Sequence, residues 1–98
     1  MKKPKTSSKI VKGSFVISND KGLHTRPSTE LVKCALHFRS QINLVYQSTT
    51  VDAKSLLGIL ALAATKGTKI NVEAVGMDSE KAVDAIVELA GNKFNVKY

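Results

Sequence analysis

Gly22-Leu23-His24-Thr25-Arg26-Pro27 leads into Leu31, Cys34, Ala35 and Phe38, which fall at the i, i+3, i+4, i+7 spacing of one buried helical face. A helix is therefore predicted from Thr25 to about Phe38, with Pro27 in its first turn, where a missing N–H costs little. With His24 as N-cap, the amides of Thr25, Arg26 and Ser28 are expected to lack intrahelical acceptors, and Pro27 has no amide to leave unpaired. The helix dipole adds about half a positive charge at this end, and Arg26 brings a planar, permanently charged fork for phosphate oxygens. That positive potential favours the neutral imidazole, which is the nucleophilic form. Gly22 lets the preceding turn bend tightly. The run reads as a docking point for phosphate, with a capping histidine beside a solvated arginine as the plainer alternative.

Outward from this run the pattern alternates between strands and helices. Phe15 and Ile17 alternate in a first strand, Ile42, Leu44 and Tyr46 share one face of a second, a turn near Gln47 and Ser48 follows, and Thr50 to Asp52 form a short third. A second helix is expected from Ser55 toward Thr65, ending at Lys66-Gly67 with a base in the last turn and a glycine suited to the left-handed C-cap. Ile70, Val72 and Ala74 make a fourth strand. Asp78 and Ser79 open a last helix, whose Val83, Ile86, Val87 and Ala90 keep helical spacing until Gly91. The order is βαββαβα. Half-apolar strands and amphipathic helices of this kind pack as an α+β fold, a four-stranded antiparallel sheet with three helices on one face. On pattern alone a ferredoxin-like sheet is a close competitor.

The second helix is apolar nearly all round. Leu56, Ile59, Leu60 and Ala63 form one stripe and Leu57, Leu60, Ala61 and Ala64 another, more than a small domain can bury. Leu57, Leu60 and Ala61 are expected to face outward as a patch for partners, with Leu56 and Ile59 inward. Ser55, after Lys54, reads first as the N-cap of this helix.

Length and charge set bounds. A chain of 98 residues with 43% hydrophobic content suits one compact domain. The net charge of +7 invites a nucleic-acid reading, but Lys2, Lys3, Lys5, Lys9 and Lys12 carry most of it, and Gly13 to Tyr98 have ten bases against eight acids. Residues 1–12 are expected to be a basic, disordered extension, 13–91 the domain, and 92–98 a C-terminal tail. An RNA-binding sheet would need aromatics on neighbouring strands, and only Phe15 and Tyr46 are offered, each on an apolar stripe. No nucleic-acid partner is expected. The single Cys34 forms no internal disulfide and suits buried packing in a reducing cytoplasm. No apolar run approaches the ~20 residues of a membrane span, and no signal-peptide pattern follows the basic start, so an unexported monomer without membrane insertion is expected. His37 has no second ligand for a metal, glycines occur singly, and no carboxylate pair stands out as acid and base, so neither metal nor cofactor is anticipated.

From about Ser14 to Gly91 the chain resembles the HPr family, histidine phosphocarriers of the bacterial phosphoenolpyruvate-dependent sugar phosphotransferase system. The residues that carry the resemblance are Gly22 to Pro27, then Lys54-Ser55-Leu56-Leu57-Gly58-Ile59-Leu60, then Lys66-Gly67-Thr68. It implies the open-faced β-sandwich over the ferredoxin-like sheet. It also implies a stoichiometric phosphoryl carrier rather than an enzyme. His24 would accept phosphate on Nδ1 from phosphorylated Enzyme I and pass it to IIA domains of sugar permeases, with Arg26 supporting transfer and the second helix docking partners. In many Gram-positive members the serine matching Ser55 is phosphorylated by an HPr kinase/phosphorylase. Here Leu57 and Leu60 stand where that branch often has methionine, a departure that leaves the use of Ser55 open. The alternative to a sugar-transport carrier is a regulatory relative acting through protein partners and phosphorylation of Ser55, with little or no role in sugar uptake.

Overall fold

Alternation at every second residue builds the sheet. In the computed structural model, which describes residues 9–98, the strands are β1 (Val11–Val16), β2 (Gln41–Tyr46), β3 (Thr49–Asp52) and β4 (Lys69–Val75). All neighbours pair antiparallel in the spatial order β1-β4-β2-β3. The registers Phe15↔Ile70 and Leu44↔Val72 place Phe15, Ile42, Leu44, Ile70, Val72 and Ala74 on one buried face. Lys12, Lys69 and Asn71 point to the open face, where they are exposed.

Helices α1 (Thr25–Ala35), α2 (Leu56–Ala61) and α3 (Ser79–Gly91) complete the βαββαβα order. Leu31 and Ala35 of α1, Ile59 of α2 and Ala82, Val83, Ile86 and Ala90 of α3 close the core over the sheet. Phe15 is buried and Tyr46 packs half-buried against the same core, so neither presents an aromatic platform to the open face. At Gly13 the backbone of β1 lies so close to α3 that a Cβ would stand 2.6 Å from Val83 Cγ1. This is the four-stranded open-faced sandwich with three helices.

Several boundaries differ from expectation. Strand β1 starts at Val11, two residues inside the stretch read as an extension, because Val11 and Lys12 pair with Ala74 and Glu73. Of the rest of that stretch, Lys9 and Ile10 are exposed and precede the strand, and residues 1–8 lie outside the described residues. Helix α1 ends at Ala35 rather than near Phe38: His37 and Phe38 donate to the i−3 carbonyls of Cys34 and Ala35 at 3.1 and 3.2 Å, tightening the last turn. His37 Nδ1 also donates to the free carbonyl of Lys33 at 2.8 Å.

Helix α2 ends at Ala61, short of Thr65. Leu62 and Ala63 donate to the carbonyls of Ile59 and Leu60, and Ala63 takes the left-handed conformation (φ 50°). Gly67 is therefore not its cap; it belongs to a separate turn in which Thr68 donates to the Thr65 carbonyl and Gly67 to that of Ile17. Residues 92–98 do not trail from the domain. A turn over Lys93–Asn95, all three with φ between 54 and 59°, buries Phe94 edge-on against Phe15 at 5.6 Å, and Val96 is also buried.

Candidate functional site

The histidine is placed by the loop between β1 and α1. Ile17 N donates to the Thr68 carbonyl, Gly22 N to Asn19 and Leu23 N to Ala64, each at 2.9 to 3.0 Å. Gly22 has φ 71° and lies against the Ala64 carbonyl, so any Cβ would collide there. His24 follows as the N-cap of α1, with extended backbone (φ −86°, ψ −164°) and no hydrogen bond from its side chain to the helix. Ser28 Oγ donates to the Leu23 carbonyl at 2.9 Å and Thr29 Oγ1 to that of Thr25 at 2.7 Å, fixing the first turn.

Of the three amides expected to be free, two are. Thr25 and Arg26 precede any i−4 acceptor within the helix. Ser28 does not: its amide donates to the His24 carbonyl at 3.0 Å, the first bond of the helix ladder, and its side chain is fully buried. The third free amide at this end belongs to the N-cap residue itself.

The imidazole is half-buried, with Nε2 enclosed and without a hydrogen-bond partner among the described residues. It borders a shallow open depression of about 260 Å³, with Lys21 and Leu23 on its own side and Leu60, Ala63 and Ala64 opposite. The loop that ends α2 early is thus the wall facing the histidine. A larger groove of about 550 Å³ lies at the other end of β1, between Lys9, Val11 and the turn from Gly76 to Lys81, and holds no histidine.

Arg26 is exposed, and its Nη1 donates to the hydroxyl of Tyr98 at 3.4 Å. The Tyr98 ring stacks on the His24 ring at 6.0 Å between centroids, and the Lys21 ammonium lies 5.9 Å from the phenol centroid. Tyr98 falls in the stretch read as a tail. The alternation of Phe94, Val96 and Tyr98 at i, i+2, i+4 was the available signal of a packed segment.

Ser55 caps α2, its Oγ accepting from Gly58 N at 3.0 Å. Beyond it Leu57 is 80% exposed, Ala61 exposed and Leu60 half-buried, while Ile59 is fully buried and Leu56 half-buried. Cys34 is half-buried and burial pushes its thiol pKa up, the opposite of an activated nucleophile. His37 is exposed and engaged with the helix end. Among the described residues no cluster of His, Cys, Asp and Glu could hold a metal ion, and no helix is long and apolar enough to cross a membrane.

Comparison with known proteins agrees with this geometry. Residues 11–92 match the family described as the PTS HPr component phosphorylation site. The phosphocarrier protein HPr of Cupriavidus necator is 40% identical over 78 residues, which cover 80% of this chain and 88% of that protein. The phosphocarrier protein HPr of Xylella fastidiosa strain 9a5c is 36% identical over 86 residues, 88% of this chain and 97% of that one. The crystal structure of HPr-C-His from Thermoanaerobacter tengcongensis superposes with a TM-score of 0.85 at 35% identity, covering 90% of this chain and 99% of that one. With the same sandwich and a histidine at the mouth of α1, the chain belongs to the HPr family: it is a phosphocarrier of the phosphotransferase system, carrying a phosphoryl group rather than catalysing a reaction.

Proposed function

We propose that His24 is the phosphoryl acceptor, taking phosphate from phosphorylated Enzyme I and handing it to IIA domains of sugar permeases in the cytoplasm. The observation that carries this is the position of the imidazole, at a helix N-terminus with Nε2 enclosed and stacked on the same Tyr98 ring that the Arg26 guanidinium contacts. Enclosure of Nε2 supports Nδ1 as the nucleophile, the nitrogen that the family resemblance implies. Its lone pair attacks phosphorus as the donor's N–P bond breaks, and Nε2 keeps its proton throughout. The free amides of Thr25 and Arg26 and the Arg26 fork then hold the dianion. Because these groups bind the phosphoryl oxygens and leave the face opposite the N–P bond open, the group stays transferable.

Leu57, Leu60 and Ala61 serve as the docking surface. Leu60 borders the depression at His24, so a partner seated on α2 also reaches the imidazole. The same place supports a second role for Ser55 as target of an HPr kinase/phosphorylase. Its hydroxyl stands one turn or less from exposed Leu57, where a phosphate would put a dianion into an apolar contact.

The test of the carrier reading is direct. Incubation with Enzyme I, phosphoenolpyruvate and magnesium should give an acid-labile, base-stable phosphoryl adduct on the wild-type protein and none on His24→Ala. An adduct that survives in His24→Ala would move the site elsewhere, and no adduct on the wild type would end the reading.

A further inference from the structure

Tyr98 reaches the histidine through a segment that is firmly held. Phe94 and Val96 are buried, and Asn19, itself fully buried, donates from Nδ2 to the carbonyls of Lys93 at 3.0 Å and Tyr98 at 3.3 Å. The phenol ring that follows is 40% exposed and lies nearly parallel to the imidazole, with 23° between the planes at 6.0 Å. Its hydroxyl accepts from Arg26 Nη1 at 3.4 Å, and the guanidinium carbon stands 6.0 Å from its centroid. One ring therefore touches both the nucleophile and the cation that would receive the phosphoryl charge.

We propose that Tyr98 is a positioning residue of the phosphoryl site, its ring backing the His24 imidazole and its hydroxyl holding the Arg26 guanidinium in place. The proposal rests on His24 being the acceptor. An exposed arginine samples many rotamers, and fixing it when phosphate arrives has an entropic cost that a resting contact removes in advance. The resting contact is also weak enough to give way. The phenol is a neutral acceptor at a long 3.4 Å, whereas phosphoryl oxygens are charged and form shorter hydrogen bonds of roughly twice the strength. The guanidinium can thus exchange the phenol for the phosphoryl group while the aromatic face stays beside it.

Two variants separate the ring from the hydroxyl. In nuclear magnetic resonance spectra the His24 ring protons should show an upfield ring-current displacement that persists in Tyr98→Phe and disappears in Tyr98→Ala. In single-turnover transfer from phosphorylated Enzyme I, Tyr98→Ala should be slower by about tenfold and Tyr98→Phe by about threefold, the scale expected for losing orientation of one group. The threefold effect should vanish in an Arg26→Ala background, since the hydroxyl acts through that side chain. Thermal midpoints should not move, because Phe94 and Val96 anchor the segment. Wild-type rates in Tyr98→Ala, an absent ring-current displacement, or a Tyr98→Phe effect undiminished by Arg26→Ala would each overturn the proposal. Failure of the carrier reading shows separately, as a wild-type protein that accepts no phosphate on His24.

Discussion

As members of the candidate site, His24 and Arg26 stand out in the sequence because the physics that marks them is local: a histidine before a proline-containing first turn, with a guanidinium two residues on. Ser28 was misjudged by one step of helix arithmetic. With His24 as N-cap, the fourth residue after it is the first able to bond back to the cap carbonyl, and Ser28 does so. Tyr98 was not legible as a site residue, since its contacts with His24 and Arg26 join positions more than seventy residues apart. Ser55 caps α2 and is also the proposed kinase target, and the two roles are separable. Its cap bond to Gly58 N makes Ser55→Ala destabilising by about 1 kcal/mol, readable by denaturant titration. Transfer from Enzyme I should be unchanged in that variant. Ser55→Asp keeps a capping oxygen and adds charge beside Leu57, so it should hold stability and raise the KM for Enzyme I. A kinase reading would be abandoned if a cognate HPr kinase/phosphorylase with ATP left the wild-type protein unlabelled, or if Ser55→Ala were labelled equally.

At the scale of elements, periodicity identified all four strands and all three helices, and the errors fell where the chain leaves a regular pattern for a tertiary reason. Leu60 to Ala64 have the composition of a continuing helix, yet Ala63 enters the left-handed region, at a cost of order 1 kcal/mol. The turn delivers the Ala64 carbonyl to Leu23 N and so builds the wall facing His24. A helix continued to Thr65 would withdraw that carbonyl. The segment after α3 is the other such place. Phe94 fills the core edge-on to Phe15, and the turn that carries it is held by Asn19. Phe94→Ala should lower unfolding free energy by about 3–5 kcal/mol, the usual cost of emptying an aromatic site. It should also erase the ring-current displacement at His24, because the anchor of Tyr98 goes with it. A native-like spectrum at His24 in this variant would mean that Val96 and Asn19 suffice to place the phenol.

Across the whole molecule, one carboxylate clasps parts that the sandwich leaves far apart in sequence. Asp78 stands before α3, where the sequence offers it as an ordinary cap, but its side chain makes no bond to its own helix. It turns instead to the loop between α1 and β2, accepting from the amides of Arg39 and Ser40, both at 2.9 Å, and from Ser40 Oγ. The Ser40 hydroxyl, followed by the Arg39 amide, holds the Asp78 carboxyl down at about 2, against 3.8 ordinarily. A carboxylate whose folded pKa is depressed binds fewer protons in the native than in the unfolded state. Its stabilising contribution is therefore complete above pH 4 and disappears as pH falls toward 2. Asp20 is shifted the same way by Lys66, but that pair is exposed and contributes little. Asp78→Asn keeps the shape and loses the charge, and its amide group cannot accept from both loop amides, so one N–H is left without its partner. The variant should melt at lower temperature than wild type at pH 7, and its stability should fall less steeply between pH 4 and pH 2. Melting curves collected across that range would show the two proteins converging as acid is added, and parallel curves would assign the acid limb to other carboxylates.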